Sequence, residues 1–584
     1  PKLDRLDFAQ EGWRVEHRNE KDGGGLSYHG VVYNEMKGAM SSPIAQLWNH
    51  LHRAIYPNTI YAHNSGGEPC EIPKLKYSQL CEFHKRHYNP ANAVFMTYGD
   101  LSFREHQEHF EKLVLKRFKI KSQIIEITAQ KPFSEKQKTV VKYSTSSDPE
   151  RSAHAVWAWV FGKSTDADSL MEMHFLTSVL LEHSGSPLRK VLETLKCADA
   201  PSELCGIDDS TRQIAFVCGV EGANKKFISD VEKEIFDCFH KLAKDGLAPQ
   251  LMVASLDRLE LDQRDWGGGT YPHGLSLMGR MLSSTIYRKD PIQMLDLEPA
   301  LDKLRTKLSD PNYFKQLVNR VFLNNPHHAS IIMLPTSELD PRMEAQSLEL
   351  QKRFERMESA ELNEIRVAAE ELKIRQSKVD DESILPKVTL GDIPEGRGLL
   401  EPRLADNSLN SEYEVDSNGV FRLRLAYRLT DFSREELELL PLFCGYLTEF
   451  GSGIEDYVTT LEKRGKIGDF SVSCLVKPDI KNKNREVGFL IINGKGLGRK
   501  RNQITEIAAQ LISKVRFDEL NRLADLMKQT RSEFEQSLTA RGHQLAMTAA
   551  SRSFSRKTAL DEVWEGGSSV SSVKNILLGV DSDR

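Results

Sequence analysis

Apolar residues recur along the chain in two rhythms, and each predicts different elements. Met36, Met40, Ile44, Leu47, Leu51 and Ile55 are spaced three to four apart, which sets them on one stripe of a helix over about 34–55. Val31-Val32-Tyr33 ahead of it reads as a short buried strand, and Pro57-Asn58-Thr59 stops the helix because proline cannot continue its hydrogen-bond ladder. After a turn at Asn64-Ser65-Gly66-Gly67, the spacing predicts a helix over 77–88, closed by Asn89-Pro90. AVFMTY at 93–98 reads as a buried strand turned at Gly99-Asp100.

A second region runs from about Ser134 to Leu334. HAVWAWVF at 154–161 is too continuously apolar for a half-solvated strand and predicts a core strand. Helices follow over 170–181 and from Leu188, separated by Gly185-Ser186-Pro187, then a strand over 213–220 and a long helix over 223–244. Further helices are expected at 249–265 and 313–322, and a closing strand at 328–334. The strand spacing does not keep a strict strand–helix–strand alternation, so the fold class is α+β.

Residues 338–378 differ from both flanks. They are dense in Glu, Lys and Arg and carry apolar residues at Leu348, Leu350, Phe354, Met357, Leu362, Ile365, Leu372 and Ile374, which predicts a solvated helical hairpin reversing near Ser359-Ala360. A partner-binding coiled coil is the other reading of the same stretch. A third region follows: FRLRLAY at 421–427 alternates like a half-buried strand, 435–450 is helical, 469–476 and 487–492 are strands, and helices cover 502–514 and 517–548. Its order of strand, helix, Gly-Ser turn, helix, strands and long helices repeats the plan of the second region.

Composition narrows the class. With 584 residues the chain exceeds one core, and about three or four domains are expected. Hydrophobic residues at 39% and charged residues at 28% describe a globular protein, and a net charge of -5 gives no reason to expect nucleic acid or an anionic membrane as partner. No apolar run is long enough to span a bilayer. Eight cysteines contain no CxxC pair and read as reduced, mostly buried thiols. Pro1 is followed by neither a signal peptide nor a transit peptide, and the expectation is that the native N-terminus lies elsewhere.

Candidate chemistry is sparse. HExxH and HxxEH each need two histidines four apart on a helix with a glutamate between them, and neither occurs among the 17 histidines. His106-Gln107-Glu108-His109 comes nearest, one residue short, and reads as the polar face of a surface helix; His84 with His87 and His50 with His52 read the same way. There is no GxSxG elbow, no Walker A loop and no GxGxxG opening a helix. Gly494-Lys495-Gly496-Leu497-Gly498-Arg499 is a glycine-rich basic stretch, read as a plain turn rather than a phosphate cradle.

One segment stands apart: Gly30-Val31-Val32-Tyr33-Asn34-Glu35-Met36-Lys37-Gly38-Ala39-Met40. It sets a carboxylate near the start of an apolar-faced helix, where an acid also complements the positive end of the helix dipole. By spacing alone, the structural role as a helix-end charge is the favoured reading.

This segment, with Phe8-Ala9-Gln10-Glu11-Gly12-Trp13-Arg14 and Ser65-Gly66-Gly67-Glu68-Pro69, resembles the presequence-protease branch of the pitrilysin and insulin-degrading enzyme family, peptidase family M16, subfamily C. HKRHYNPANAVFMTYG at 84–99, Ser184-Gly185-Ser186-Pro187-Leu188, Gly219-Val220-Glu221-Gly222, and Ile384-Leu385-Pro386 through Asp392-Ile393 are similar as well, in order along the whole chain. The resemblance implies repeated pitrilysin-type (LuxS/MPP-like) domains of mostly antiparallel sheets flanked by helices. They are expected at 1–133 (the C-terminal part of the first), 134–336 (the second) and 399–584 (an incomplete third), with a hairpin linker at 337–398.

It further implies a zinc endopeptidase of targeting presequences and other short unfolded oligopeptides, acting as a monomer inside a clamshell chamber. In the family, the two histidines of HxxEH and a glutamate further along hold Zn2+, which polarises water and the scissile carbonyl, while the glutamate of HxxEH takes the proton. Glu35 corresponds to the further glutamate. The histidines and general base are expected upstream of Pro1, as is the strand that binds substrate. The substrate-binding Arg and Tyr are expected beyond Arg584, so no substrate-binding residue is assigned and this chain alone is expected to be inactive. A non-catalytic homologue serving as scaffold or peptide-binding subunit is the alternative. The expected setting is soluble and intracellular: mitochondrial matrix, plastid stroma or bacterial cytoplasm.

Overall fold

The strand Ala153–Lys163 is buried along its first eight residues because both faces of its sheet are covered. The computed structural model describes residues 3–18, 24–118, 124–145, 152–265, 272–338, 340–393, 396, 401–404, 409–430, 432–482 and 485–582. The chain divides into two units: Pro1–Lys37, Gly66–Glu82 and Pro341–Gly419 form one; Gly38–Ser65, Phe83–Asp340 and Val420–Arg584 form the other. The domain boundary expected at 398/399 lies outside the described residues.

The larger unit holds two sheets. The first comprises β1 (Gln137–Ser144), β2 (Ala153–Lys163), β3 (Ala200–Pro201), β4 (Gly206–Asp208), β5 (Gln213–Ala223) and β6 (His328–Thr336). They run in the order β1-β6-β2-β5-β3 with β4 also on β5, and every pair is antiparallel except β1 with β6. Leu47, Leu51, Ile55 and Tyr56 cover one face against Val156, Ala158, Val217, Ile331 and Met333. The other face meets helices Ala167–Leu181, Ile228–Asp245, Glu298–Leu308 and Pro311–Val318 around Trp157, Trp159, Phe216 and Phe239. Trp159 stacks on His328 at 4.5 Å and donates its Nε1–H to the Phe322 carbonyl at 3.0 Å, so its polar atom is satisfied in the core.

The second sheet comprises β7 (Val420–Leu429), β8 (Asp469–Pro478) and β9 (Glu486–Leu497), antiparallel in the order β7-β9-β8. Helices Arg434–Leu447 and Arg501–Ser513 cover one face through Leu440, Cys444, Leu447, Ile507 and Leu511. The alternation read from FRLRLAY is present: Leu423, Leu425 and Leu429 pack inward while Arg422 and Arg424 are exposed. The repeated plan is present too. In each sheet a strand (β2 or β7) is followed by two helices and then by further strands. The last of these, β5 or β9, lies antiparallel between the first strand and those that intervene, and helices follow it.

Several expectations need correction. The helix foreseen over 34–55 is two helices, Val31–Ala39 and Pro43–Ile55. Pro43 has no N–H to continue a ladder, and Ser42 caps the new start by accepting from the Ala45 N–H at 3.5 Å. Val31-Val32-Tyr33 is not a strand but the first turn of the former helix; the strand is Leu26–His29, just before it. AVFMTY at 93–98 forms no strand, and Val94, Phe95 and Tyr98 are exposed. The helix expected from Ala223 starts at Ile228, since Ala223 still pairs with Ala153. The helix over 517–548 breaks into Leu520–Ala540 and Gly542–Ser551, where glycine lowers helix propensity. No described helix is long and apolar enough to cross a membrane.

The smaller unit carries a two-stranded antiparallel ribbon, Arg14–His17 with Leu26–His29, and the foreseen hairpin, Pro341–Arg356 and Ser359–Ser377. Arg375 of the hairpin pairs with Asp7, and His17 of the ribbon packs on Phe354 at 5.8 Å.

Candidate metal-ligating site

Glu35 sits in the second turn of the helix Val31–Ala39, whose first turn holds no acidic residue. The helix-dipole field falls off within the first turn, which weakens the purely structural reading of this carboxylate. Glu35 is exposed and makes no hydrogen bond or ion pair among the described residues.

The helix itself is closely held. Its ladder opens with the Asn34 N–H donating to the Gly30 carbonyl at 3.0 Å. Gly30 has φ +152 and lies against the backbone of Gly12 and Trp13, where a Cβ would meet the Gly12 carbonyl oxygen at 2.2 Å. Only glycine permits this approach. Further along, the Met36 side chain lies over Gly66, its Sδ 2.2 Å from where a Cβ would stand, so a larger residue there would push the thioether aside. Three sequence motifs, around Gly12, Glu35 and Gly66, therefore meet around one short helix.

An aromatic chain stiffens the base. Phe8 packs edge-on to Trp13 at 6.3 Å, Trp13 to Tyr28 at 5.6 Å, and Tyr28 to the buried Tyr33 at 5.9 Å. The Trp13 Nε1–H donates to the Leu75 carbonyl at 2.9 Å, and the Tyr77 hydroxyl to the Leu3 carbonyl at 2.6 Å. Burial raises the pKa values of Tyr28 and Tyr33, so both are neutral phenols at ordinary pH.

Zinc takes three or four N, O or S ligands at about 2.0–2.3 Å. Among the described residues no three His, Cys, Asp or Glu side chains converge in that way. His29, in the strand leading to the Glu35 helix, contacts Ser27 Oγ at 3.0 Å and Glu16 Oε2 at 3.7 Å instead. The side chains present do not by themselves fit a zinc centre; Glu35 offers one ligand position.

The other candidates resolve into structural roles. His106 and His109 lie on the surface helix Phe103–Leu113, with His106 stacked on Phe110. His84 and His87 stack on Tyr88 and Phe83, and His52 bonds Asp208 Oδ2 at 3.1 Å. The glycine-rich stretch is not a turn along its length: Gly494 to Leu497 belong to β9. A Cβ on Gly494 or Gly496 would press on Ile504 at 2.8 Å, so these glycines let the helix Arg501–Ser513 lie close to the strand. Its cations are already neutralised, Lys495 by Asp265 at 2.6 Å and Asp469 at 3.0 Å, Arg499 by Asp257 at 2.7 Å and Glu260 at 2.9 Å.

The Ser184 and Glu221 motifs also have structural partners. Arg522, with its side chain 3% exposed, donates to Ser184 Oγ at 2.8 Å, Glu449 Oε2 at 2.7 Å and Glu193 Oε2 at 3.2 Å, and lies over Tyr457. Glu221 accepts from the Ser532 hydroxyl at 2.7 Å. Sequence spacing could not announce these contacts, because Arg522 is hundreds of residues from two of its partners.

Residues 74–259 match the family model described as the peptidase M16 inactive domain, and residues 333–576 the one described as associated with subfamily C of peptidase family M16. The mitochondrial presequence protease of Danio rerio is 29% identical over 585 residues, covering 99% of this chain and 57% of that protein. Presequence protease 1, chloroplastic/mitochondrial, of Arabidopsis thaliana is 30% identical over 556 residues, covering 92% of this chain and 51% of that protein. Protein HypA of Clostridium perfringens is 29% identical over 572 residues, covering 96% and 58%. The chain thus spans little more than half the length of the curated relatives it matches.

Proposed function

Given that the chain is a relative of the subfamily C peptidases of family M16 over nearly its whole length, we propose that it forms the body of a zinc metalloendopeptidase acting on targeting presequences and other short unfolded oligopeptides. The observation that carries this reading is Glu35: a carboxylate without a partner among the described residues, on a helix fixed at its base by two glycine contacts. A free, exposed, rigidly mounted carboxylate is suited to be one ligand of a metal whose other ligands come from elsewhere. On this reading the two histidines and the general base lie outside these 584 residues, and 134–336 and 399–584 are non-catalytic repeats that enclose the peptide.

A second reading is a scaffold or peptide-binding subunit of the same family. The two separate on one experiment. The gene product containing this chain is incubated with an unstructured presequence-like peptide, with and without a zinc chelator. Chelator-sensitive cleavage supports the peptidase; binding without cleavage supports the scaffold. The 584-residue chain alone is expected to give no turnover, and hydrolysis by it that disappears in Glu35→Ala would overturn the proposed division of ligands.

A further inference from the structure

The helix Arg434–Leu447 has a proline inside it, Pro441, which has no N–H to donate to the Leu437 carbonyl four residues back. The indole of Trp564 takes that place: its Nε1–H donates to the Leu437 carbonyl at 2.7 Å. Trp564 lies in the last turn of the helix Arg556–Glu565, so the bond pins that helix to the interrupted one. It also satisfies the one polar atom of the indole, whose apolar surface is left to line a cavity.

The cavity, of about 450 Å3, lies among the helices Arg434–Leu447, Leu520–Ala540, Arg556–Glu565 and Gly567–Ser582. That volume falls within the range of about 300–1,000 Å3 typical of ligand sites. Leu442, Phe534, Val573 and Ile576, members of one hydrophobic cluster, give it an apolar base. Leu439 lines it too and is 46% exposed. Its charge is one-sided. Glu435 and Glu438, one turn apart near the start of Arg434–Leu447, line it, and among the described residues that do so there is no Lys, Arg or His. Lysines on the surrounding helices are engaged elsewhere, Lys574 with Glu535 at 2.9 Å and Lys557 with Asp561 at 2.6 Å.

We propose that this cavity docks a cationic amphipathic peptide segment. Its apolar side chains settle on Trp564 and Phe534, and its Lys or Arg side chains pair with Glu435 and Glu438. The fixed aromatic wall and apolar base supply the affinity. The two carboxylates supply the choice, since an acidic segment would meet like charge there. Docking needs neither Glu35 nor a metal, so it stands or falls apart from the peptidase reading.

The test uses the full 584-residue chain. It is titrated into a labelled, tryptophan-free helical peptide with leucines on one face and lysines on the other, followed by fluorescence anisotropy. Saturable binding is expected, with a change in the chain's own tryptophan emission that is lost in Trp564→Phe. Removing both charges, with Glu435→Gln and Glu438→Gln together, should weaken binding about fivefold. Leu439→Asp separates a seated peptide from general attraction to a chain of net charge -5. Attraction alone would strengthen with the added charge, whereas a peptide seated on the apolar surface should bind at least about fivefold more weakly. Four results would each overturn the proposal: no binding by the wild type, equal affinity for a peptide with glutamates in place of the lysines, unchanged affinity in either charge variant, or a wild-type dimer that Leu439→Asp returns to monomer in sedimentation. The last would give the cavity to a second copy of the chain.

Discussion

Gly30 rests on the backbone of Gly12, so closely that a Cβ at position 30 would stand 2.2 Å from the Gly12 carbonyl oxygen. The contact joins the segment around Trp13 to the first turn of the helix that carries Glu35, and it fixes where that helix begins. A rigid base is what distinguishes a ligand-bearing carboxylate from an ordinary exposed one.

Gly30→Ala is therefore expected to cost about 2–4 kcal/mol, since the clash is with backbone and the φ of +152 is itself unfavourable for an L-residue. Thermal and urea unfolding measure the loss, and limited proteolysis should cut near the Glu35 helix. A loss under about 0.5 kcal/mol would mean that the two backbones are free to separate.

Arg522 carries a second expectation. Its side chain is 3% exposed beside Glu193 at 4%, and Arg522→Met takes one of two guanidinium partners from the buried Glu193, which keeps Arg189 at 2.6 Å, and the ion pair from the half-exposed Glu449. Breaking a buried ion pair on one side costs about 3–5 kcal/mol. Denaturant unfolding should show this, and adding Glu193→Gln should recover part of it. A loss below about 1 kcal/mol would place the cluster among solvated ion pairs.

Histidine burial sets a pH dependence. Desolvation lowers the His328 pKa to about 4 in the folded protein, with Lys136 adding to the effect, against about 6.5 unfolded. Between these values the unfolded chain binds the extra proton, so stability is full above about pH 6.5 and falls as pH drops toward 4. His328→Phe keeps the stack on Trp159 and removes the proton, so its unfolding free energy should fall less steeply across this window, by up to about 1.4 kcal/mol per pH unit. Urea unfolding of both proteins at several pH values decides it. Identical slopes would show that His328 titrates as freely folded as unfolded.

Much of this fold could be read from the chain before any coordinates. HAVWAWVF declared a core strand, FRLRLAY a half-buried one, and the Glu/Lys/Arg-rich 338–378 a hairpin, observed as helices Pro341–Arg356 and Ser359–Ser377. The failures share a cause: periodicity reports which face an element can bury, not what lies against it. AVFMTY has the composition of a buried strand, yet no described strand pairs with it. The single stripe from Met36 to Ile55 concealed a break at Pro43, because the spacing on either side happened to agree. Glu35 was singled out by its surrounding segment, whereas the Gly12–Gly30 and Gly66–Met36 approaches join residues distant in sequence that no repeat pattern marks.

The central claim, that Glu35 is a metal ligand of a subfamily C peptidase of family M16, is tested most directly by the zinc content of the gene product containing this chain, purified as wild type and as Glu35→Gln. The account expects about one zinc per wild-type molecule. It expects at least about a tenfold loss of zinc affinity in the variant, with the folding stability of the metal-free protein unchanged to within about 0.5 kcal/mol because the exposed side chain has no protein partner to lose among the described residues. Equal zinc content and affinity in the two proteins would contradict it.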